Sequence, residues 1–333
     1  MLDLRVGDTV EVKSREEILA TLDLRGALDA LPFMPEMLRY CGRRYKVYKR
    51  ADKTCEYVDF PRYSTRRMFH TVHLEGLRCD GEHHDGCDAS CLLFWKEVWL
   101  KRVDGRTGVR PSGRGGETIG GEGSRVTVER GCTVETLMVS TKRPKDSGNP
   151  GPEKYSCQGT EIVKASRELK WWDLRQYYRD LRSGNVCLKH FAKWTPLAVL
   201  NWAHERFRGW RIYPFMDPRQ AQREKTPTET LNLQPGESVR IRPLKEIMQT
   251  LDANMKNRGL LFAKEMVPYC GKTAQVLKEV QRIINEANGE MIVFNTKSFI
   301  LEEVICTSYL SDKRLFCPRS MYPYWKEIWL RRV

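Results

Sequence analysis

The residues of this chain best suited to chemistry are cysteines and histidines that lie close together between residues 79 and 91. Cys79, Cys87 and Cys91 are separated by short spacers, the first of which also contains His83 and His84. Thiolate and imidazole groups are preferred ligands of zinc, and four thiolates can alternatively hold a [4Fe–4S] cluster. The spacing therefore predicts a metal centre in this part of the chain.

The surrounding stretch, residues 77–103, returns in altered form at residues 315–333. The matched residues are Trp95, Lys96, Glu97, Trp99, Leu100, Arg102 and Val103 with Trp325, Lys326, Glu327, Trp329, Leu330, Arg332 and Val333. Earlier residues match at a constant offset, among them Gly7 with Gly236 and Glu36 with Glu265. A repeat period this long predicts two duplicated domains and excludes a solenoid.

The cysteines are only partly retained between the two repeats. The aligned pairs are Cys41 with Cys270, Cys79 with Cys306 and Cys87 with Cys317, whereas Cys91 aligns with Met321. The first repeat can thus supply four thiolates and the second three. A centre with three protein ligands has an open position for substrate, so we expect any catalysis at the three-cysteine centre of the second repeat. Alternatively, Cys157 or Cys132 from the middle of the chain closes this second site.

The arrangement of the cysteines favours an iron–sulfur cluster over zinc. Structural zinc sites usually combine short paired C-x(2–4)-C knuckles, but this chain has one C-x(3)-C, at Cys87 and Cys91, with dispersed partners. Zinc is the alternative, with His83 or His84 replacing one cysteine. Asp80, Asp85 and Asp88 lie beside the first site, and their charge favours a cation over an anionic cluster. A third interpretation treats the cysteines as small buried apolar residues without a metal.

The repeated WKExWL motif also contains an acidic residue in each copy. Glu97 and Glu327 could move protons near a metal. Their position between tryptophans instead predicts that they face solvent, opposite the apolar stripe.

Short strands separated by glycine turns must position these residues. Residues 6–12 alternate apolar and polar side chains, which predicts a half-buried strand, and Ser14 with Glu17 has the spacing of a helix capping box. The opening glycine-aspartate pair, with valines at alternating positions 10 and 12, resembles SH3-like small β-barrels of ribosomal and chromatin-associated modules. This resemblance covers each repeat and implies a fold, but it transfers no activity.

We therefore predict a mainly β protein of the α+β class, with two SH3-like barrels and an α-helical insert between them. The predicted segments are repeat 1 at residues 1–103, a Gly/Pro-rich linker with short strands around Cys132 at residues 104–160, a helical insert at residues 161–230 and repeat 2 at residues 231–333. The glycine-rich residues 104–124 lack the GK[ST] ending of a phosphate-binding loop.

The insert is rich in tryptophan and arginine. Residues 171–210 have the apolar spacing of helices, with Leu200, Ala203 and Phe207 on one face. Such a stretch could make peripheral contact with an anionic membrane, but packing against a neighbouring domain is the preferred interpretation.

The overall charge points to an anionic partner. Lys and Arg number 57 against 43 Asp and Glu, a formal net charge of +14, which favours a small anionic molecule or nucleic acid. The start of the chain lacks a signal-peptide pattern, and no apolar run approaches the roughly 18 residues of a membrane span. We expect a cytoplasmic protein whose cysteines are reduced.

Together these features predict a cytoplasmic iron–sulfur protein. If it is an enzyme, it acts on a small anionic substrate at Cys270, Cys306 and Cys317, by redox, sulfur-transfer or Lewis-acid chemistry. The alternative is a zinc-stabilised tandem-barrel module that binds nucleic acid or a protein partner.

Overall fold

The structure is a computed structural model that describes residues 2–57, 64–103, 131–144, 151–311 and 313–333. The glycine-rich residues 104–124, where we considered a phosphate-binding loop, lie outside the described residues.

Repeat 1 is built on an antiparallel sheet whose strands bury alternate side chains. Its strands are β1 (Thr9–Val12), β2 (Ala27–Leu28), β3 (Leu31–Pro32), β4 (Arg44–Arg50), β5 (Thr54–Cys55), β6 (Thr65–Arg67), β7 (Thr71–Leu74), β8 (Trp95–Lys96) and β9 (Leu100–Arg102). Five of them form a sheet in the order β8-β7-β4-β1-β9. The predicted first strand is confirmed as β1, which buries Val10 and Val12. The predicted capping box is confirmed at Ser14 and Glu17, where the helix α1 (Arg15–Leu19) begins.

The described residues of the middle of the chain are mainly helical and include one short strand. Its elements are α2 (Val134–Ser140), β10 (Arg167–Glu168), α3 (Arg175–Ser183), α4 (Leu188–Arg208) and a 3-10 helix at Pro218–Gln220. Residues 134–140 thus form a helix where we predicted strands, because Thr133 caps its first turn by accepting the Thr136 amide. The strand β10 pairs with β6 of repeat 1.

Repeat 2 has its own sheet. Its elements are β11 (Ser238–Ile241), α5 (Leu244–Met248), β12 (Lys256–Asn257), β13 (Leu260–Leu261), β14 (Thr273–Glu279), β15 (Arg282–Ile284), β16 (Met291–Val293), β17 (Ser298–Leu301), β18 (Trp325–Lys326) and β19 (Leu330–Arg332). The sheet order is β18-β17-β14-β11-β19, which is the order of the corresponding strands in repeat 1. Among the described residues, each five-stranded sheet is open, with its first and last strands at the edges. The chain is therefore a mixed α and β protein with several antiparallel sheets.

The two sheets also agree in detail. A register shift interrupts β4 between Val47 and Lys49, and the same irregularity interrupts β14 between Val276 and Lys278. The Trp99 indole donates to the Thr21 hydroxyl at 3.0 Å, and the Trp329 indole donates to the Thr250 hydroxyl at 3.0 Å. The alignment of the two repeats by sequence thus pairs residues that occupy the same structural positions.

The acidic residue of each WKExWL motif is buried, so the prediction that it faces solvent is wrong. Glu97 is 3% exposed and accepts hydrogen bonds from the Leu2 amide at 3.0 Å and from Arg50 at 2.9 Å. Glu327 is 4% exposed and accepts the Leu231 amide at 3.1 Å. A short 3-10 helix at this point turns the carboxylate inward, where it holds the segment that precedes each first strand.

The helix α4 packs through a different face from the one predicted. Phe191 and Trp194 contact the apolar cluster around Phe316, whereas Leu200 and Phe207 are 55% and 81% exposed. In the described part of the chain, no helix is both long enough and apolar enough to span a bilayer.

A buried ion pair joins the insert to both repeats. The Lys53 ammonium group donates to the Asp180 carboxylate at 2.6 Å and to the Leu315 carbonyl at 2.8 Å. Lys53 is 2% exposed and Asp180 4%. Since burying two charges costs several kcal/mol per ion, the pair is stable only while both partners are present.

We therefore expect Lys53→Met to lower the free energy of unfolding by about 3–5 kcal/mol, because it leaves the Asp180 carboxylate buried without its cation. The double variant Lys53→Met/Asp180→Leu should regain most of this loss. Urea unfolding followed by circular dichroism measures both. A single variant that costs less than about 1 kcal/mol would show that the pair does not anchor α3.

Candidate metal centre

The cysteine loop, residues 79–91, is closed by backbone hydrogen bonds. The Cys79 amide donates to the Cys91 carbonyl at 2.8 Å, so the first and last residues of the loop lie side by side. Within the loop, the Cys87 amide donates to the His84 carbonyl at 3.1 Å, and the His84 amide donates to the Gly81 carbonyl at 2.9 Å. These bonds bring three cysteines and one histidine into a compact turn structure.

Gly81 makes this compactness possible. Its φ is +76°, in the left-handed region that favours glycine, and a Cβ atom at this position would lie 2.1 Å from the Cys87 carbonyl oxygen. Gly86 has a similar φ of +74°, but no atom lies within 4 Å of the corresponding Cβ position. At Gly81 a side chain would collide with the Cys87 backbone. At Gly86 there is room for a side chain, and only the positive φ favours glycine.

Glu36, Cys79 and His84 form a buried group whose ligand atoms all lie within 4.8 Å of one another. The Cys79 thiol donates to Glu36 Oε1 at 3.0 Å, and His84 Nδ1 lies 4.0 Å from the same oxygen. Glu36 reaches the site from the 3-10 helix at Pro35–Tyr40, and it is 2% exposed. We call these three residues the triad.

The triad contains polar atoms without hydrogen-bond partners among the described residues. They are Glu36 Oε2 and His84 Nδ1, both fully buried. Because His84 Nε2 lies 3.1 Å from the Ser156 carbonyl, which can only accept, we assign the ring proton to Nε2. The lone pair of Nδ1 then faces the carboxylate and the thiol. A backbone carbonyl that orients a histidine in this way is typical of metal ligands.

Cys157 joins the cysteine loop from the middle of the chain. A negative charge on Cys91 or on Cys157 would raise the pKa of the Cys79 thiol. A negative charge on Cys87 would likewise raise the pKa of the Cys91 and Cys157 thiols. Burial is the largest cause of the shift in each case, and it raises the pKa of Cys91 and of Cys157 to about 12. We call Cys79, Cys87, Cys91 and Cys157 the four-thiol group.

The spacing of the ligand atoms separates two kinds of metal centre. In a tetrahedral zinc site with Zn–S bonds of about 2.3 Å, the sulfur atoms stand about 3.8 Å apart. No three cysteine sulfurs in the described part of the chain lie within 4.8 Å of one another, whereas the triad meets that limit. A cluster binds each thiolate through a different iron atom, so it holds its cysteines farther apart. The triad therefore meets the spacing of a single ion, whereas no three of the described cysteine sulfurs do.

Several predicted ligands lie elsewhere. Cys41 and Cys270 end equivalent 3-10 helices and pack against the two cores. Arg15 and Glu16 are the charged groups that act on the Cys41 thiol, and burial raises the pKa of Cys270 to about 12 without a contribution from another described cysteine. Cys132 packs in the core of repeat 1 against Gly26.

The remaining cysteines of repeat 2 lie close to an arginine and not to Cys270. Cys306 and Cys317 act electrostatically on Arg314, together with Cys55 from repeat 1. Cys317 hydrogen-bonds to Cys55, and with the two arginines Arg314 and Arg319 it lowers the pKa of Cys55 to about 5. Two guanidinium groups favour a thiolate or another anion here and disfavour a bound cation. Among the described residues, Cys270, Cys306 and Cys317 do not form a group within 4.8 Å, and the open metal centre at these residues stays a prediction.

Sequence reasoning missed Glu36 as a candidate ligand, although its identity with Glu265 was visible in the alignment of the repeats. It left open whether Cys157 or Cys132 completes the second site, because nothing in the local sequence indicates which site a distant cysteine reaches. No family model matches the chain, and no curated protein or solved structure is significantly similar to it. The geometry of these groups is therefore the basis for a functional proposal.

We expect Gly81→Ala to destabilise the fold by about 2 kcal/mol more than Gly86→Ala. Both variants pay about 1–2 kcal/mol for a left-handed residue, but only the first forces a side chain into the Cys87 backbone. Denaturant unfolding of the two variants side by side measures the difference. Equal losses would show that the loop can relax around Gly81.

Proposed function

We propose that this chain is an iron–sulfur protein whose [4Fe–4S] cluster is held by Cys79, Cys87, Cys91 and Cys157. The observation that carries the proposal is that the cysteine loop supplies three free thiols and contacts the segment of a fourth, Cys157, where His84 Nε2 lies 3.1 Å from the Ser156 carbonyl. Such a cluster would supply one-electron redox chemistry, tuned by its burial and by nearby charges.

The surroundings of the four-thiol group are compatible with an anionic cluster. Arg319 is 2% exposed, and its charge acts on Cys91. Each acidic residue that argued against a cluster has a cationic partner: Asp80 lies 2.5 Å from Arg39, Asp85 3.5 Å from Lys142 and Asp88 3.2 Å from Lys278. These three ion pairs weaken the electrostatic objection raised by the sequence, whereas Glu36 beside Cys79 has no Lys or Arg partner among the ion pairs of the described residues.

The two repeats share a common architecture. We infer that the two repeats are duplicated SH3-like units, at residues 1–103 and 231–333, supported by their shared strand order and matching register shifts. Free cysteines, including many that are buried, support a reducing compartment such as the cytoplasm.

Zinc at the triad is the competing metal assignment, favoured by the unpaired lone pair of His84 Nδ1 and by the second oxygen of Glu36. Three protein ligands with an open position would be typical of a catalytic zinc ion. Cys79 belongs to both groups, so the cluster and the zinc ion exclude each other in one molecule.

The decisive experiment is iron, sulfide and zinc analysis of anaerobically purified protein and its variants. We expect brown protein with iron and acid-labile sulfide, and we expect Cys157→Ser to lose most of both, because one ligand is missing. Cys41→Ser is the matched control, since it removes a half-buried thiol of repeat 1 outside the four-thiol group, and it should retain the cluster.

Three results would contradict the cluster. Colourless protein with stoichiometric zinc that Cys157→Ser retains and His84→Ala loses would establish the triad as the site. Equal loss of iron in Cys157→Ser and Cys41→Ser would show that folding and not ligation controls metal content. Metal-free wild-type protein would leave the cysteines as apolar core residues.

A basic cleft supports nucleic-acid binding as a second candidate function. The cleft joins two adjacent cavities of about 450 and 500 Å³, which share Arg67, Phe69 and Arg175. Arg67 and Arg167 lie over the Phe69 ring, at 4.7 and 5.5 Å from its centroid. We call these cavities the arginine cleft.

The positive charge of the arginine cleft is incompletely neutralised. Within the described residues, Arg67 and Arg179 form no ion pair with a carboxylate. Burial lowers the pKa of Arg67, and repulsion from Arg179 and Arg175 lowers it further. The exposed rings of Trp172 and Tyr178 beside these arginines are suited to stacking on bases. Arginines that bind phosphates, together with aromatic rings that stack on bases, are typical of single-strand recognition.

We expect Arg67→Gln/Arg179→Gln to weaken binding of a fluorescein-labelled oligothymidylate and to flatten its salt dependence. Each lost phosphate contact should reduce the slope of log K against log salt by about 0.7. Arg240→Gln/Arg331→Gln, which makes the same charge change at exposed positions of repeat 2, is the control. If both double variants change the slope equally, net charge and not the arginine cleft determines the binding.

A further inference from the structure

A mainly apolar groove lies between the two repeats, on the side of Glu265. Its volume is about 430 Å³, which is within the range of small-molecule sites. Repeat 1 contributes Tyr57 and Ala89, and repeat 2 contributes most of the remaining wall, including Ile283, Ile292 and Tyr324. Ala89 belongs to the cysteine loop, so one wall of the groove is the backbone that carries Cys87 and Cys91.

Glu265 supplies an unpaired polar group to this apolar wall. Its residue is 6% exposed, and neither carboxylate oxygen has a hydrogen-bond partner among the described residues. An unpaired buried carboxyl group costs about 1–3 kcal/mol or more. Burial also raises the pKa of Glu265, with Arg314, Lys264 and the Leu310 backbone amide opposing the shift.

The equivalent position in repeat 1 shows why Glu265 is unpaired. Glu36 accepts the Cys79 thiol at 3.0 Å, whereas the corresponding Cys306 lies 3.4 Å from the Ser308 hydroxyl and makes no hydrogen bond to Glu265. The same scaffold position therefore faces a thiol in repeat 1 and a groove in repeat 2. The Glu265 carboxyl group can therefore accept a hydrogen bond from a ligand in the groove.

The charges around Glu265 limit what that ligand can be. Arg314 lines the groove and acts on Glu265, so a cationic ligand would lie beside a guanidinium group. The wall is mostly leucine, isoleucine, methionine and aromatic rings, which favours an apolar body. An uncharged molecule that donates one hydrogen bond satisfies both constraints.

We propose that this groove binds a small, uncharged, largely apolar molecule through one N–H or O–H group that donates to the Glu265 carboxyl. The site does not require a metal at the cysteine loop, so it is independent of the proposed cluster. The hydrogen bond to Glu265 would fix the orientation of the ligand, because apolar contacts with the rest of the wall are not directional.

The test uses two fluorescent probes that differ in the donor: N-phenyl-1-naphthylamine and its N-methyl derivative, which lacks the N–H. We expect saturable binding of the first probe to the full chain, with the second about fivefold weaker, the effect of one hydrogen bond. Glu265→Met should abolish the difference between the probes. It should also raise the Tm by about 2 °C or more, because it removes an unpaired buried carboxyl group.

Two further variants locate the binding. Ile292→Trp fills the groove at a position that is 41% exposed, so the variant should fold normally and lose both probes. Glu302→Met makes the same substitution as Glu265→Met at an exposed position outside the groove, and it should bind like the wild type.

The proposal is overturned by any of four results. These are no saturable binding to the wild type, equal affinity for the two probes, a probe preference that survives Glu265→Met, or binding that Ile292→Trp leaves unchanged. A lower Tm for Glu265→Met would assign Glu265 a structural role in place of a ligand-binding one.

Discussion

A single buried cation, Arg319, connects the parts of this molecule that could carry function. Its guanidinium group donates to the Cys55 carbonyl of repeat 1 at 3.0 Å and to the Glu286 carboxylate of repeat 2 at 3.0 Å. Burial of this charge requires both partners, and the bond to the Cys55 carbonyl is the one that joins Arg319 of repeat 2 to repeat 1. Cys55 and Cys91 both lie within its field, and Glu286 lines the groove.

The two repeats show how one scaffold can hold different sites. Position by position, the strands, the register shifts and the tryptophan hydrogen bonds agree. Among the differences, those that concern function lie in the segments between β7 and β8 and between β17 and β18. In repeat 1 this segment is a tight loop rich in ligand atoms, and in repeat 2 it carries Arg314 and Arg319, which favour anions. Buried ligand atoms without hydrogen-bond partners lie in the repeat 1 segment, whereas the arginine pair of repeat 2 favours anions, so the two segments suit different ligands.

Local patterns in the sequence predicted the local structure. The alternation at residues 6–12 predicted β1 because Val10 and Val12 must face one core, and the Ser14 and Glu17 spacing predicted the cap of α1. The cysteine loop was found for the same reason, since its ligands are close in the chain. Cys157, Glu36 and Cys55 approach their partners through tertiary packing alone, and no periodicity or spacing encodes that approach. Alignment of the repeats correctly paired Cys41 with Cys270, which occupy the same position in the two repeats. A shared position does not by itself make either residue a metal ligand.

The hydrogen bonds between Asp88 of the cysteine loop and repeat 2 affect the order in which the chain can fold during its synthesis. Asp88 accepts the Gln281 and Arg282 amides at 3.0 and 3.3 Å, and the Asp88 amide donates to the Arg282 carbonyl at 2.8 Å. These partners leave the ribosome after most of the chain has been made, although domains usually fold from the N-terminus onward. The bonds between Asp88 and repeat 2 can therefore form only after residues 281 and 282 have been synthesised. On the proposal of a cluster at this loop, its assembly would follow synthesis of these residues.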